Sequence, residues 1–194
     1  MSNDGVVTGA DGIPRCFWAG SAPEYLAYHD DEWGMPVHGE SALYERLTLE
    51  GFQSGLSWLT ILRRREAFRT AFRGFDPDAV AAFGEPERAA LLADAGIVRN
   101  ARKIDAAISN ARAVVGLRDE GGLDALVWRQ APAGHVPPRS RGEVRSTSPE
   151  AVALAKALKS HGFTFVGPTT MYATMQACGL VNDHLAGCHR SSSV

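Results

Sequence analysis

Cysteine and histidine residues occur in two pairs that are far apart in the sequence. Cys16 and His29 form the first pair, and His184 and Cys188 form the second. Thiolate and imidazole are ligands that zinc prefers, and a set of four protein ligands leaves no coordination position open for water. The pattern therefore predicts one structural Zn²⁺ per chain, which joins the N- and C-terminal segments.

Two other interpretations of these residues stay open. His189 directly follows Cys188 and can replace one of the four ligands. Three cysteines and six histidines in 194 residues can also take such positions without binding metal, and Cys178, in an apolar run, is typical of a small core residue. If only three of the ligands bound the metal, the open position would instead favour a zinc hydrolase.

Aromatic and acidic residues concentrate in two further segments. Residues 28–34 read Tyr-His-Asp-Asp-Glu-Trp-Gly, and residues 49–58 place the single carboxylate of Glu50 in an apolar, small-residue stretch. Aromatic walls with one carboxylate suit a flat, hydrogen-bonding, cationic ligand. The candidate pocket residues are Trp18, Tyr28, Trp33, Glu50 and Trp58. The alternative is that the aromatic residues are core residues and Glu50 caps a helix.

Composition excludes several classes of protein. The chain has a net charge of −2, so overall charge does not indicate nucleic-acid binding, yet seventeen of its twenty basic residues are arginine, which favours phosphate contacts. No apolar run is long enough to span a membrane, and residues 1–13 lack the apolar core of a secretory signal. Three cysteines form no even disulfide framework, so we expect a cytoplasmic protein.

The elements that must position these residues are almost all helical. Ser41, Ser57, Asp76-Pro77 and Ser148-Pro149 are predicted helix starts, and residues 131–148 are a predicted long loop. We therefore predict an all-α fold. Residues 14–190 are expected to form a single domain, with disordered tails at residues 1–13 and 191–194.

A tight turn at residues 95–98 joins two of the predicted helices and is a candidate helix-hairpin-helix motif. Backbone amides at such a turn can bind a DNA phosphate. The candidate DNA-binding residues are Gly96, Ile97, Val98, Arg99, Arg102 and Lys103. The fuller form of the motif has a second glycine where Val98 stands, and an ordinary helix–helix turn ended by Gly96 is the alternative.

Several of these segments, taken together, closely resemble the 3-methyladenine DNA glycosylase I family. The matching stretches are Arg15-Cys-x-Trp18, residues 28–34, residues 49–58, Asp94-Ala-Gly-Ile97 with Lys103-Ile104, Gly162-Phe-x-Phe-Val-Gly167 and Met175-Gln-Ala-Cys-Gly-Leu-Val-Asn-Asp-His184. They occur in order and extend the resemblance from about residue 14 to about residue 188.

The resemblance implies a fold, a metal site and an activity. It implies a helix-hairpin-helix glycosylase domain in which Cys16, His29, His184 and Cys188 bind zinc. It also implies hydrolysis of the N-glycosidic bond of 3-methyladenine in alkylated double-stranded DNA, which is a step of base-excision repair. The flipped base would be contacted by Glu50 and stacked by Trp58, with Tyr28 as another base contact and Trp18 and Trp33 as further walls.

Three further expectations complete this interpretation. Because no lysine lies in an apolar pocket pattern suited to a Schiff base, we expect a monofunctional glycosylase that leaves an abasic site uncut. We also expect a monomer that does not bind membranes. The rival from another class is a non-catalytic DNA-binding protein that flips and holds damaged bases, since it would share the hairpin and the aromatic residues.

Overall fold

A computed structural model describes residues 5–191 of the chain. Ten α-helices and one two-stranded sheet lie within these residues. Their bounds are β1 Val6–Thr8, β2 Pro14–Cys16, α1 Pro23–Asp31, α2 Glu40–Gln53, α3 Trp58–Leu62, α4 Arg65–Ala71, α5 Pro77–Ala81, α6 Glu85–Ala93, α7 Ala101–Gly116, α8 Gly122–Trp128, α9 Pro149–Ser160 and α10 Pro168–Ala177. The fold is therefore mostly helical, as predicted.

The hairpin of β1 and β2 differs from the predicted disordered tail. Strand β1 pairs antiparallel with β2, so that Val6 lies opposite Cys16. Val6, Val7 and Thr8 are β-branched, and the turn that follows contains Gly12 at a φ of 78°. Residues 6–8 therefore form a strand that flanks Cys16. Residues 1–4, the start of the predicted tail, and residues 192–194 of the predicted C-terminal tail lie outside the described residues.

Side-chain caps fix most of the predicted helix starts. Ser57 accepts a hydrogen bond from the amide of Thr60, and Asp76 accepts from the amides of Asp78 and Ala79. Ser148 caps α9 in the same way. The prediction for Ser41 was wrong, because the N-cap of α2 is Gly39, two residues earlier, at a φ of 89°.

Helix α2 passes through the centre of the hydrophobic core. Its buried residues include Tyr44, whose hydroxyl donates to the carbonyl of Ala107 on α7 at 2.9 Å, and Phe52, whose ring lies 4.7 Å from that of Phe68. A rigid, buried α2 places Glu50 in a fixed position near its end. Across residues 5–191, no helix combines the length and apolar character needed to cross a bilayer.

Candidate active site

The four predicted metal ligands lie together although they come from distant parts of the chain. Cys16 ends β2, His29 is on α1, and His184 and Cys188 follow α10. All four side chains are buried, and their donor atoms lie within 4.8 Å of one another. The distance between His184 Nδ1 and His29 Nε2 is 3.2 Å, and Cys188 Sγ lies 3.4 Å from His29 Nε2 and 3.7 Å from His184 Nδ1. This cluster can hold a metal ion.

The second nitrogen of each imidazole is bound to a group outside the cluster. His29 Nδ1 donates to Asp30 at 2.7 Å, and His184 Nε2 donates to the carbonyl of Trp33 at 2.9 Å. Gly34, at a φ of 81°, has no side chain, and an added Cβ would lie 3.1 Å from the His184 ring. These contacts orient the two ligand nitrogens toward the cluster, as outer partners do in metal sites.

Electrostatics favour a thiolate within the cluster. The contact with Cys16, and then those with His184 and His29, lower the pKa of Cys188 although burial opposes this. His189, the alternative ligand, instead contacts Asp30 at 3.0 Å and lies outside the group of four. Burial raises the pKa of Asp30, but the hydrogen bonds from Arg15, His29 and His189 lower it overall, so that Asp30 stays ionised.

The predicted pocket residues line one cavity of about 400 Å³. It contains all five of them, Trp18, Tyr28, Trp33, Glu50 and Trp58, together with Ser21, Tyr25, Gln53, Ala173 and Gln176. The cavity size and its apolar lining with few polar groups are typical of a small-molecule site. Its walls come from α1, α2, α3, α10 and the turns before and after α1, which converge because each packs beside the core.

The aromatic rings of this cavity support one another in edge-on contacts. The Trp18 ring is 5.2 Å from that of Trp33 at 86°, and 5.7 Å from that of Tyr25 at 77°. The Tyr28 ring lies 5.4 Å from that of Trp58 at 44°. Such packing holds large apolar faces in place, ready for a planar ligand.

Glu50 is the one acidic side chain among the residues that line this cavity in the described chain. It is 5% exposed, and burial raises its pKa to about 8, against the weaker opposing effect of Arg46. Within residues 5–191 the carboxyl group of Glu50, which lines the cavity, makes no side-chain hydrogen bond, and the fully buried Nε1 of Trp58 has no partner there. Buried polar groups without partners are costly, which is why they mark places where a ligand supplies the partner.

The predicted DNA-binding residues lie together at the turn between α6 and α7, but not all are accessible. Arg99 and Arg102 are exposed, whereas the side chain of Ile97 is buried. The amide of Gly96 already donates to Asp94 at 2.7 Å, and Arg64 binds the carbonyls of Ala95 and Gly96. Val98 packs against the core.

The assignment of Lys103 to DNA is corrected by its position. Its side chain is buried, and its Nζ donates to the carbonyls of Phe52 and Ser54, at 2.8 and 2.5 Å. Burial also lowers its pKa. Lys103 therefore caps the C-terminal end of α2, beside Glu50, and its ammonium group is not available to a phosphate.

Sequence and structure comparisons place this site among known proteins. The family model described as methyladenine glycosylase matches residues 18–191. The Escherichia coli DNA-3-methyladenine glycosylase 1 is 46% identical over 181 residues, which are 91% of this chain and 96% of that protein. A crystal structure of a 3-methyladenine DNA glycosylase I at 45% identity gives a TM-score of 0.86 and covers 90% of this chain and 98% of that one.

This chain belongs to the methyladenine glycosylase family. A further structure, of the Staphylococcus aureus 3-methyladenine DNA glycosylase I, concerns 3-methyladenine recognition; it is 31% identical, with a TM-score of 0.86 over 91% of this chain and 96% of that one. The matched residues 18–191 include His29, His184 and Cys188 of the cluster, the residues that line the cavity and the turn between α6 and α7.

Several residues of this family member's site are not among the predicted site residues, although Tyr25 belongs to the same aromatic-rich stretch of sequence as Tyr28 and Trp33. Tyr25 lines the cavity, and its hydroxyl accepts from the amide of Leu59 at the start of α3. Asp30 orients His29, and Gln176 lines the cavity while it donates to Asp183 at 2.7 Å. The spacing of Tyr25 three residues before Tyr28 on a helix is the one local signal that places it on the same face.

Proposed function

We propose that this protein hydrolyses the N-glycosidic bond of 3-methyladenine in alkylated double-stranded DNA, releases the free base and leaves an abasic site for base-excision repair. The observation that carries the proposal is the carboxyl group of Glu50, buried and without a protein partner in a cavity walled by aromatic rings. The names of the related glycosylases support the choice of base.

The cavity suits a cationic purine. Methylation at N3 places positive charge on the base while it is still attached to the sugar. The faces of Trp58 and Tyr28 can stack on that base and attract its charge, and Trp18 and Trp33 form further walls. Normal adenine carries neither the charge nor the methyl group, so it gains less from these rings.

Glu50 supplies the polar contact to the base edge. In the empty cavity its raised pKa keeps the carboxyl group mostly protonated at neutral pH. A cationic base nearby favours the carboxylate, so binding releases a proton and forms an ion pair in a desolvated site. Glu50 then accepts hydrogen bonds from the base edge, which holds the flipped nucleotide in place.

The chemical step needs modest help from the protein. The bond between C1′ and N9 breaks, its electrons move to the base, and the base leaves neutral; water adds to C1′ and loses a proton. Among the described residues that line the cavity there is no lysine, in keeping with the proposal that water, not a protein amine, attacks the sugar. The proposed enzyme is therefore monofunctional.

The turn between α6 and α7 is the proposed helix-hairpin-helix contact with DNA. Its exposed arginines, Arg99 and Arg102, together with the backbone of residues 96–98, would approach the phosphates. Lys103 is excluded from this role because its ammonium group is bound to carbonyls. The cytoplasmic location and the monomeric state of the protein stay predictions.

The metal of the Cys16, His29, His184 and Cys188 cluster is proposed to be a structural zinc. Tetrahedral zinc with bonds of about 2.3 Å to sulfur and about 2.0–2.1 Å to nitrogen places its ligand atoms roughly 3.3–3.8 Å apart. The distances of 3.2 to 3.8 Å between donor atoms fit that geometry. When bound, zinc would hold the two terminal segments together, with four protein ligands and no position for water.

The test is base release from methylated duplex DNA by the purified protein. Chromatography of the released bases is expected to give 3-methyladenine and little 7-methylguanine. If folded, metal-loaded protein binds the damaged duplex but releases no base, the proposal is wrong and the protein is a non-catalytic reader of damaged DNA.

A further inference from the structure

A second cavity of about 370 Å³ adjoins the base pocket. The two cavities share the lining residues Gln53, Ala173 and Gln176. A nucleotide whose base occupies the first cavity carries its sugar and phosphates by covalent bonds, so an anion must lie directly outside the base pocket. The second cavity is one of the places that the rest of that nucleotide can reach.

The lining of this second cavity suits an oxyanion. It carries hydroxyl groups but, within the described chain, no carboxylate, and its charged lining residue is Arg145. The hydroxyl-bearing residues, apart from Tyr172, are Ser54, Ser146, Thr169 and Thr170. Arginine and hydroxyl donors together are the usual protein contacts to DNA phosphates.

Arg145 is available for such a contact, in contrast to many other arginines of this chain. Carboxylates bind several of those arginines; the pairs are Arg63–Glu24, Arg65–Glu32, Arg69–Glu45, Arg88–Asp105 and Arg118–Glu40. Arg145 is exposed, and no ion pair or side-chain hydrogen bond engages it within residues 5–191.

The loop of residues 131–148, which carries Arg145, is held in place at its first half. His135 Nε2 lies 2.9 Å from Asp183, and the carbonyl of Pro138 accepts from the amide of Ala186, so the loop is tied to the segment after α10. Beyond Arg145 a third cavity contains the carboxylates of Glu143 and Asp183 together with His135 and Arg139. Arg145 therefore stands at the boundary between a cavity without carboxylates and one of mixed charge.

We propose that the second cavity is a phosphate subsite, in which Arg145 binds the backbone of the damaged strand beside the flipped nucleotide. The loop of residues 131–148 thereby takes part in DNA binding, in addition to the hairpin turn between α6 and α7. This inference rests on the proposed function, since it needs the flipped nucleotide to occupy the base pocket.

The experiment compares Arg145→Ala with wild-type protein on a duplex that contains one tetrahydrofuran abasic site. At low salt its affinity is expected to fall on the order of tenfold. One fewer phosphate contact also reduces the steepness of the plot of log affinity against log salt concentration by about one. Between about 50 and about 200 mM salt, the fold-loss of affinity of Arg145→Ala should therefore be about three- to fourfold smaller than that of wild type. Arg145→Glu is expected to weaken binding further.

Two controls separate the subsite from other causes. Arg129→Ala removes an exposed arginine at the end of α8, outside both cavities, and is expected to leave the affinity and the salt slope unchanged. Binding of free 3-methyladenine, followed by tryptophan fluorescence, is expected to be the same in Arg145→Ala and wild type, because the base pocket is intact.

The outcomes also distinguish this inference from the proposed function. If Arg145→Ala binds the duplex with wild-type affinity and salt slope while wild type releases 3-methyladenine, the phosphate subsite is wrong and the proposed function stands. If wild type neither releases nor binds 3-methyladenine, the proposed function is wrong. The phosphate subsite is then wrong as well, even if Arg145→Ala weakens general DNA binding, because it requires a flipped base in the pocket.

Discussion

The metal cluster and the base pocket lie on either side of Trp18 and Trp33, but they differ in whether their buried polar groups have hydrogen-bond partners. In the cluster the outer nitrogens of His29 and His184 are both bound, to Asp30 and to the carbonyl of Trp33. In the pocket the carboxyl group of Glu50 is buried with no hydrogen bond from the rest of the described chain.

We infer from this difference that the cluster contributes to stability and that the pocket binds a ligand. A buried polar group with all its partners stabilises a single arrangement, whereas one without partners costs about 1–3 kcal/mol. On the proposed function, the bound base supplies the partner that the pocket lacks. The comparison can be tested by changing each region and measuring stability and activity separately.

The largest expected effect is on the cluster. Cys188→Ala removes a ligand and leaves buried polar groups unpaired, so we expect loss of bound metal and a fall of more than about 3 kcal/mol in the free energy of unfolding. Metal analysis and thermal unfolding would measure both, and a strong chelator should bring wild type to the same state. Cys178→Ala is the matched control: it also removes a buried thiol, but outside the cluster, and should keep the metal. A Cys188→Ala protein with full metal content and unchanged stability would contradict the cluster's role.

The next effect is on catalysis. Glu50→Gln keeps the shape of the side chain but cannot form an ion pair with a cationic base, so base release in a single turnover should slow by about 10²–10³-fold. Binding to an abasic duplex should remain. Glu45→Gln, on the same helix but paired with Arg69, should release base at the wild-type rate. Full activity of Glu50→Gln would remove Glu50 from the proposed mechanism.

The smallest effect is the pH dependence of stability that Glu50 causes. Its folded pKa of about 8 lies above the value of about 4.3 for an unfolded chain, so the folded protein holds more protons between these values. Stability is therefore lost as pH rises from about 4.5 through 8, and the loss is complete above the folded pKa. Glu50→Gln should therefore gain stability relative to wild type as pH rises, starting from no difference near pH 4.5 and reaching the full difference above pH 8. Denaturant unfolding at several pH values measures this, and a pH-independent difference would refute it.

Local signals account for the parts of the fold that the sequence predicted well. Asp76-Pro77 and Ser148-Pro149 begin helices because a capping side chain and a proline act within one turn. The strand at residues 6–8 was missed because it depends on pairing with residues 14–16, and a three-residue strand leaves little pattern of its own.

The site was predictable where chemistry restricts residue type, and less so where packing decides. The two cysteine–histidine pairs predict a metal site because zinc prefers these ligand types, and this prediction needs no knowledge of the fold of the residues between them. Lys103 looked like a DNA contact because it follows Arg99 and Arg102, but its partners are carbonyls of residues 52 and 54, about fifty positions earlier. Gln176 was missed because its role depends on Asp183, which lies seven positions later and beyond the end of α10.

Trp33 connects the two regions, because its ring lines the base pocket and its carbonyl accepts a hydrogen bond from His184 of the metal cluster. The two partners of this hydrogen bond are synthesised at very different times. His184 is made 168 residues after Cys16 and 151 residues after Trp33 itself. During translation the pocket wall at Trp33 therefore lacks its support until this late segment leaves the ribosome. On the proposed function, a nascent chain that still lacks residue 184 cannot bind a damaged base in a fully supported pocket.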